Sequence, residues 1–511
     1  MPPTLIRRPL AVAADPAEVF QALAGDAENA FWLDSGPTAT TGRSYLGVPA
    51  AVHPCRSWAD LRALLADLGP LPPEPAPLPP ESAPFSPEPE PLSPEPTSLP
   101  TAPNGPRFHL GWVGWLSYEL GLPDGASVGP DAAMLLRVDR AVEFDHATGE
   151  VTLLTLRDPD AAAWLDRIEA LITSLTRRTT HSPLDTGAHP LSVDELAHPS
   201  PGAGAGAGVG APALVARPRH KYRAYAALVD ACKATIARGD AYQLCLTNEF
   251  RVDVRPDPLS TYLRLRTLSP THHGGYLKVG ERALLSASPE QFLAVTADGT
   301  VSSKPIKGTR PRGAGPVEDA LLARELAASA KERAENLMIV DLVRNDLSKV
   351  AALGTVAVPV LLEVETYPQV HQLVSTVQAT LAEGRTGLDA VEACFPAGSM
   401  TGAPKRSAVR RLAELEAAPR GIYSGAFGYF SLDGAVDLAM VIRSIVIDGS
   451  GASVGAGGGI TALSEPWDEV EETRVKASAL LAVLGARSPE PEERPAARVP
   501  DSGPRRERAN V

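Results

Sequence analysis

From about residue 217 onward the sequence predicts an α+β fold built on antiparallel sheet. Two observations carry this. Strand-like runs at 283–294, 300–306, 425–430, 436–447 and 452–455 are separated by short turn signals, Asp298-Gly299, Asp433-Gly434 and Asp448-Gly449-Ser450. Helix-period runs at 221–239, 317–353 and 467–484 are set apart from them. Strands that follow one another through tight turns pair antiparallel, whereas parallel neighbours need a long crossover.

Taken in order, 16–23 and 57–68 have amphipathic helix spacing, and 30–33 is a short apolar run closed by Asp34-Ser35-Gly36. Residues 70–105 repeat Pro-Glu-Pro and Pro-Leu-Ser-Pro, the composition of an extended surface insert. FHLGWVGWLSYEL, at 108–120, reads as a buried strand and turn, and 141–156 alternates like a hairpin about residues 145–149. Residues 158–177 space Ala, Leu and Ile as a helix does. The Gly/Ala-rich stretch within 179–216 reads as a linker. The chain therefore divides into an N-terminal region (1–178), the linker (179–216), a C-terminal catalytic region (217–486) and a charged, Pro-rich, disordered tail (487–511). Within the C-terminal region, 241–252 is a strand and the 317–353 tract contains at least one break.

A chain of 511 residues with 44% apolar content has ample material for a large core. Its formal net charge of -13 argues against nucleic-acid or membrane-surface partners, since phosphate would be repelled. An anionic substrate must then be drawn in by a local cluster of Lys, Arg or metal. The four cysteines form no CxxC pair, as suits a reducing cytoplasm. Neither the broken apolar run at the N-terminus nor the Gly/Ala tract has the character of a signal peptide or membrane span.

Chemistry concentrates in a few places. Lys307, in VSSKPIKGTRPRG, is expected on a tight turn with its amine inward, where a desolvated amine becomes a nucleophile. Gly308 and Gly313 would let backbone approach a ligand. Glu332 and Glu335 are three apart on one helix, and Glu469 and Glu472 three apart on another. Each pair shares a helix face. Four carboxylates suit Mg2+, with waters and substrate completing the shell, unless these are simply solvated faces.

GAGGGI, at 455–460, is either an amide nest for a carboxylate or a plain turn. Arg443, inside an apolar strand run, requires an anionic partner, structural or bound. His371 reads as an acid–base group or a core histidine, and Glu290, just after a turn, is equally open. Lys405 and Arg406 either begin a helix or help hold an anion.

Together, PIKGTRPRG, AENLMIVDLVRNDLSKV, FPAGSMTGAPK, IYSGAFGYF and AGGGITALSEPWDEVEETRVKA resemble the chorismate-utilising enzymes. The resemblance covers about 217–486. FWLDSG and GWVGWLSYEL are similar to the N-terminal region of the component I proteins of anthranilate and aminodeoxychorismate synthases. Water-using members carry a general-base lysine where this chain has Gln243, which cannot deprotonate water. Anthranilate synthases typically have PIAGT where this chain has PIKGT. The chain thus resembles the aminodeoxychorismate synthase component I branch, with anthranilate synthase component I as the alternative. An alternative of another class is a non-catalytic amino-acid-sensing or scaffolding relative.

The resemblance implies two large antiparallel sheets packed together with helices outside. It implies Mg2+ on Glu332, Glu335, Glu469 and Glu472, holding the ring carboxylate of chorismate. Tyr423, Arg443 and the amides of Gly457, Gly458 and Gly459 would hold the enolpyruvyl carboxylate, with Lys476 balancing the acidic cluster. Gln243, Gly308, Thr309 and Thr401 complete the implied substrate-binding set. Lys307 would attack C2 with Glu290 as general acid, and His371 would lie near the substrate. No glutaminase motif accompanies these, so ammonia is expected from a separate glutamine amidotransferase subunit. The implied product, 4-amino-4-deoxychorismate, belongs to the p-aminobenzoate branch of folate biosynthesis.

Overall fold

A computed structural model describes residues 3–67, 105–122, 132–181, 214–367 and 370–490. Nearly all of the Pro-rich insert, most of the linker and the tail from 491 lie outside these residues. Two antiparallel sheets of twelve and ten strands dominate. The first runs Leu5–Leu10, Glu150–Leu156, Arg140–Asp145, Arg43–Gly47, Asn29–Asp34, His273–Val279, Arg282–Ser288, Ser444–Asp448, Gly451–Ile460, Gln243–Val252, Arg217–Pro218, with Gly402–Ala403 also on Gln243–Val252. The second runs Ile306–Pro311, Val370–Thr380, Thr300–Ser303, Gln291–Val295, Val436–Met440, Ala426–Ser431, Gly111–Leu116, Ala133–Val138, Ala51–Cys55, with Ala357–Thr366 added to Val370–Thr380. The expected α+β class and paired sheets are present.

Strand alternation builds the layers. In Asn29–Asp34, Phe31 and Leu33 face the opposite sheet and meet Val113, Trp115 and Phe427. Trp32, one residue on, faces the helices and packs on Phe20 and Tyr262. Helices Pro16–Ala24, Ala161–His181, Tyr222–Ala237, Pro258–Leu268, Lys405–Glu416 and Pro466–Val483 cover the first sheet. Trp58–Asp67, Ala330–Leu347 and Gly387–Cys394 cover the second. Their starts are written locally: Asp15 caps the first helix before Pro16, and Thr386 with Asp389 forms a reciprocal capping box. The break in the 317–353 tract falls at Ser329, which ends Pro316–Ala328 and caps Ala330–Leu347. Among the described residues no helix is long and apolar enough to cross a membrane.

Each sheet draws strands from both the N-terminal and the C-terminal region, Trp32 pairing with Tyr276 and Trp112 with Phe430. Pairing satisfies edges that either region alone would expose. Leu214–Val215, at the end of the linker, pairs in parallel with Ala486–Arg487.

The runs 283–294 and 436–447, each expected as one strand, are each two strands in different sheets. Arg282–Ser288 lies in the first sheet and Gln291–Val295 in the second; Val436–Met440 lies in the second and Ser444–Asp448 in the first. Glu290 and Arg443 stand at these two crossings. The crossings are tied together, Met440 N–H donating to Glu290 O (3.0 Å) and Ala287 N–H to Arg443 O (3.1 Å).

One carboxyl between the sheets carries a stability prediction. Asp437 is bonded by Gln291 Nε2 at 3.2 Å, and burial pushes its pKa up to about 7. Its folded pKa exceeds its unfolded value near 3.8, so the native state loses stability as pH rises between them. Asp437→Asn should raise Tm by a few degrees at pH 8 and leave it nearly unchanged below pH 4, as calorimetry at both values will read.

Candidate active site

A cavity of about 560 Å3 opens beside the two crossings. Its wall includes Glu290, Lys307, Gly308, Thr309, Glu332, Glu335, Tyr423, Arg443, Gly457, Gly458, Gly459, Glu472 and Lys476. Segments more than 180 residues apart in the chain are thus brought to one place.

Lys307 lies on strand Ile306–Pro311, not on a tight turn. The pairing with Val370–Thr380 slips between Lys307 and Thr309, and Gly308 takes the extra position at φ 79°. This bulge re-aims the strand at the cavity. A side chain at Gly308 would meet Leu326 at 2.7 Å and Glu332 at 3.0 Å, so only glycine fits. The amine of Lys307 has no hydrogen bond or ion pair among the described residues, and it lies within electrostatic reach of Glu290, Glu335 and Glu472.

Glu290 is buried at 8% exposure, and burial raises its pKa above the ordinary carboxyl range against the pull of Lys307 and a Ser399 hydrogen bond. A carboxyl whose pKa burial raises, set in one cavity with a free amine, is suited to give up a proton to a leaving group. Arg443 adopts a left-handed backbone (φ 50°), a conformation costing about 1 kcal/mol or more. Its guanidinium faces the cavity with no hydrogen-bonded protein partner among the described residues, and desolvation lowers its pKa. The residue is exposed on the cavity wall, where an arriving anion could meet it.

The GAGGGI segment is neither nest nor turn. It completes strand Gly451–Ile460, pairing Gly457 with Thr247, Gly458 with Leu246 and Gly459 with Cys245. The glycines exist for close approach: an added Cβ would stand 2.8 Å from Glu469 Oε2 at Gly458 and 2.1 Å from Gln243 Nε2 at Gly459. Gln243 and Glu469 are therefore packed against this strand, at 1% and 4% exposure, and do not line the open cavity. Gln243 Oε1 has no hydrogen-bond partner.

The two glutamate helices face each other across the rim. Lys331 feels Glu332, Glu335, Glu469 and Glu472. Burial raises the pKa of Glu335 and Glu469. At Glu472 burial opposes the charge, but the attraction of Lys476, bonded at 2.7 Å, prevails and the pKa is lowered. Lys476 also donates to Gly457 O at 2.8 Å, joining helix to glycine strand. Among the described residues no three His, Cys, Asp or Glu side chains converge closely enough to hold a metal as they stand. The donor chemistry nevertheless fits a hard divalent cation: every candidate ligand is a carboxylate, and the buried Glu335 Oε1 lacks a hydrogen-bond partner, with Lys331 Nζ 4.0 Å away.

Two further expected residues, His371 and Thr401, also lie off the cavity wall. His371 is buried with both ring nitrogens engaged, Nε2 by Asp319 Oδ1 and Nδ1 by Thr366 Oγ1, each at 2.9 Å. Strand alternation puts its neighbours Val370 and Gln372 on the cavity instead. Thr401 is fully buried, its hydroxyl donating to Ala397 O and Gly398 O, so it shapes the backbone behind Ser399 and Met400. Lys405 begins its helix and donates to Cys394 O at 2.6 Å while pairing with Asp346 at 2.5 Å.

Sequence reasoning missed Gln372, Ser399 and Lys331 on the wall. It also missed two buried supports. Asn336 ties helix Ala330–Leu347 to Pro305 O, Leu373 O and Ser375 Oγ. Arg420 binds Glu416, Met400 O and Cys245 O. Period-two alternation in VHQLVS was the available signal for Gln372; the supports carry none.

Residues 87–482 match the family described as chorismate binding enzyme. The chain is 41% identical over 484 residues to the aminodeoxychorismate synthase of Streptomyces pristinaespiralis, covering 93% of this chain and 64% of that one. It is 45% identical over 390 residues to that of Streptomyces griseus, covering 75% and 51%. The chain thus spans between half and two thirds of the length of these relatives. The crystal structure of anthranilate synthase component I from Streptococcus pneumoniae superposes with a TM-score of 0.59 at 28% identity, covering 73% of this chain and 81% of that one.

Proposed function

The chain belongs to the chorismate binding enzyme family, and on that premise we propose that its cavity converts chorismate and ammonia to 4-amino-4-deoxychorismate. The observation that carries this is the unpartnered amine of Lys307 in one cavity with the buried Glu290, whose pKa burial raises. The naming of the Streptomyces relatives supports the same product. Anthranilate synthase component I remains the rival; it has no use for a nucleophilic lysine at this position. A non-catalytic sensing or scaffolding role would not require Glu290, Lys307 and four carboxylates to be kept together.

The chemistry balances without an oxidant. Lys307 Nζ attacks C2 of the ring with its lone pair, both ring double bonds shift along the conjugated path from C2 through C1, C6 and C5, and the 4-hydroxyl leaves from C4 as water with the proton of Glu290. The adduct's nitrogen sheds a proton. Ammonia then adds at C4, both double bonds shift back, and the C2–N bond breaks, the lysine departing with the proton that the added nitrogen gives up. The enolpyruvyl group is retained. Arg443, with Tyr423 and the glycine-strand amides, would hold one substrate carboxylate, and Gln372 presents an amide to the ring face. Glu332, Glu335, Glu469 and Glu472 would hold Mg2+, which when bound supplies positive charge for the other carboxylate.

The nitrogen would come from a separate glutamine amidotransferase, and the four unpaired, buried cysteines suit work in a reducing cytoplasm. The product would serve the p-aminobenzoate branch of folate biosynthesis. Mass spectrometry of the purified chain with chorismate, Mg2+ and either ammonium or glutamine is the test. We expect 4-amino-4-deoxychorismate from ammonium and none from glutamine until an amidotransferase is added. Anthranilate as the main product would overturn the reading in favour of its rival.

A further inference from the structure

Three lysines stand on the cavity wall, Lys307, Lys331 and Lys476. Two are accounted for. Lys476 is anchored on Glu472 Oε1 and Gly457 O, and Lys307 carries the nucleophile of the reaction proposed above. Lys331 serves neither purpose. It is the second residue of helix Ala330–Leu347. Positive charge in a first turn opposes the helix dipole, so the helix gains nothing from a lysine there.

What Lys331 meets instead is negative charge from two elements. Its Nζ lies 4.0 Å from Glu335 Oε1, the buried oxygen without a hydrogen-bond partner. It also feels Glu332 on its own helix, and Glu469 and Glu472 on helix Pro466–Val483 across the rim. At 4.0 Å the contact is electrostatic and too long for a hydrogen bond. The head group makes no hydrogen bond among the described residues, and 56% of the side chain is exposed. The lysine is therefore held by the field of the cluster and by no directed bond. On its flexible four-carbon stem it can swing into solvent when a stronger cation arrives.

We propose that Lys331 is the resident counter-cation of the four-glutamate cluster, balancing the carboxylates without metal and giving way to Mg2+. This inference rests on the Mg2+ reading of that cluster. The lysine then sets the affinity of the site. A single positive charge about 6 Å from a divalent ion, screened as by water, weakens binding by about 10-fold.

Calorimetric titration of the substrate-free protein with Mg2+, at low ionic strength so that the charges are not screened, tests this. Lys331→Met keeps the apolar stem and removes the charge, and its Kd for Mg2+ should fall about 10-fold. Without Mg2+ the same variant should melt below wild type, because the carboxylates then repel one another unopposed. Saturating Mg2+ should raise its Tm by more than it raises that of wild type. Arg333→Met controls for net charge. Arg333 is off the cavity wall, its guanidinium turned back to Ala327 O at 3.3 Å, and its loss should change Kd by less than about 2-fold. Lys331→Gln repeats the titration should the methionine variant not fold. A folded Lys331 variant with unchanged or weaker Mg2+ affinity overturns the proposal, as does an equal gain in Arg333→Met, which would reduce the effect to overall charge. Failure of the underlying reading looks different: neither wild type nor the Lys331 variants would bind Mg2+, and the proposal would go with its premise.

Discussion

Lys307→Ala should lower formation of 4-amino-4-deoxychorismate by on the order of 10³-fold and change what remains. The amine it removes is not part of any hydrogen bond or ion pair among the described residues, so the fold loses little. The strand keeps its bulge at Gly308 and its pairing with Val370–Thr380. What disappears is the nucleophile, and space opens beside C2. Ammonia can then add there directly, so residual product should shift toward the 2-amino isomer and anthranilate. Product chromatography against both standards reads the shift. Undiminished 4-amino product from the alanine variant would reduce Lys307 to a binding residue.

Glu472→Gln should weaken Mg2+ binding by on the order of 10²-fold while leaving the melting transition intact. Glutamine keeps the shape and removes the charge. Glu472 is the carboxylate of the cluster whose pKa is lowered, because Lys476 holds it ionised against burial. Glu335 and Glu469 are pushed the other way, so Glu472 supplies the readiest negative charge for a cation. Titration calorimetry with Mg2+ measures the binding directly, and turnover at limiting Mg2+ should collapse in parallel. A variant that binds Mg2+ as tightly as wild type would show that the metal, if used, sits elsewhere.

Much of this site was legible before any coordinates. Three-residue carboxylate spacing announces itself, because the signal is local: the Glu332–Glu335 and Glu469–Glu472 pairs are read straight from the chain. What was not legible is where a strand changes sheet. SASPEQF and MVIRSIV look like continuous strands by composition, yet each crosses between sheets. The polar residue in each, Glu290 or Arg443, sits at the crossing because only there does it reach the cavity. A charge interrupting an apolar run was the trace of that event.

The glycine segment was misread for a related reason. Glycines in sequence suggest positive φ, but Gly457, Gly458 and Gly459 are extended. They are small because Gln243 and Glu469 press on the strand from neighbouring elements, a fact of tertiary contact. His371 is the buried, hydrogen-bonded histidine that one of its two readings allowed, and Gln372, one residue on, faces the cavity because the side-chain period of a strand is two. Asn336 and Arg420, which hold the cavity's backbone in place, bond main-chain carbonyls far away in sequence, and no local pattern reports that.

The central claim is that Lys307 forms a bond to the substrate. Intact-mass spectrometry of wild-type protein mixed with chorismate and Mg2+, in the absence of ammonia, tests it most directly. The account predicts a species heavier than the protein by chorismate less one water, located to Lys307 by peptide mapping. It should discharge on adding ammonium and be absent from Lys307→Ala. An unmodified wild-type mass under turnover-competent conditions, or the same adduct on the alanine variant, would contradict it.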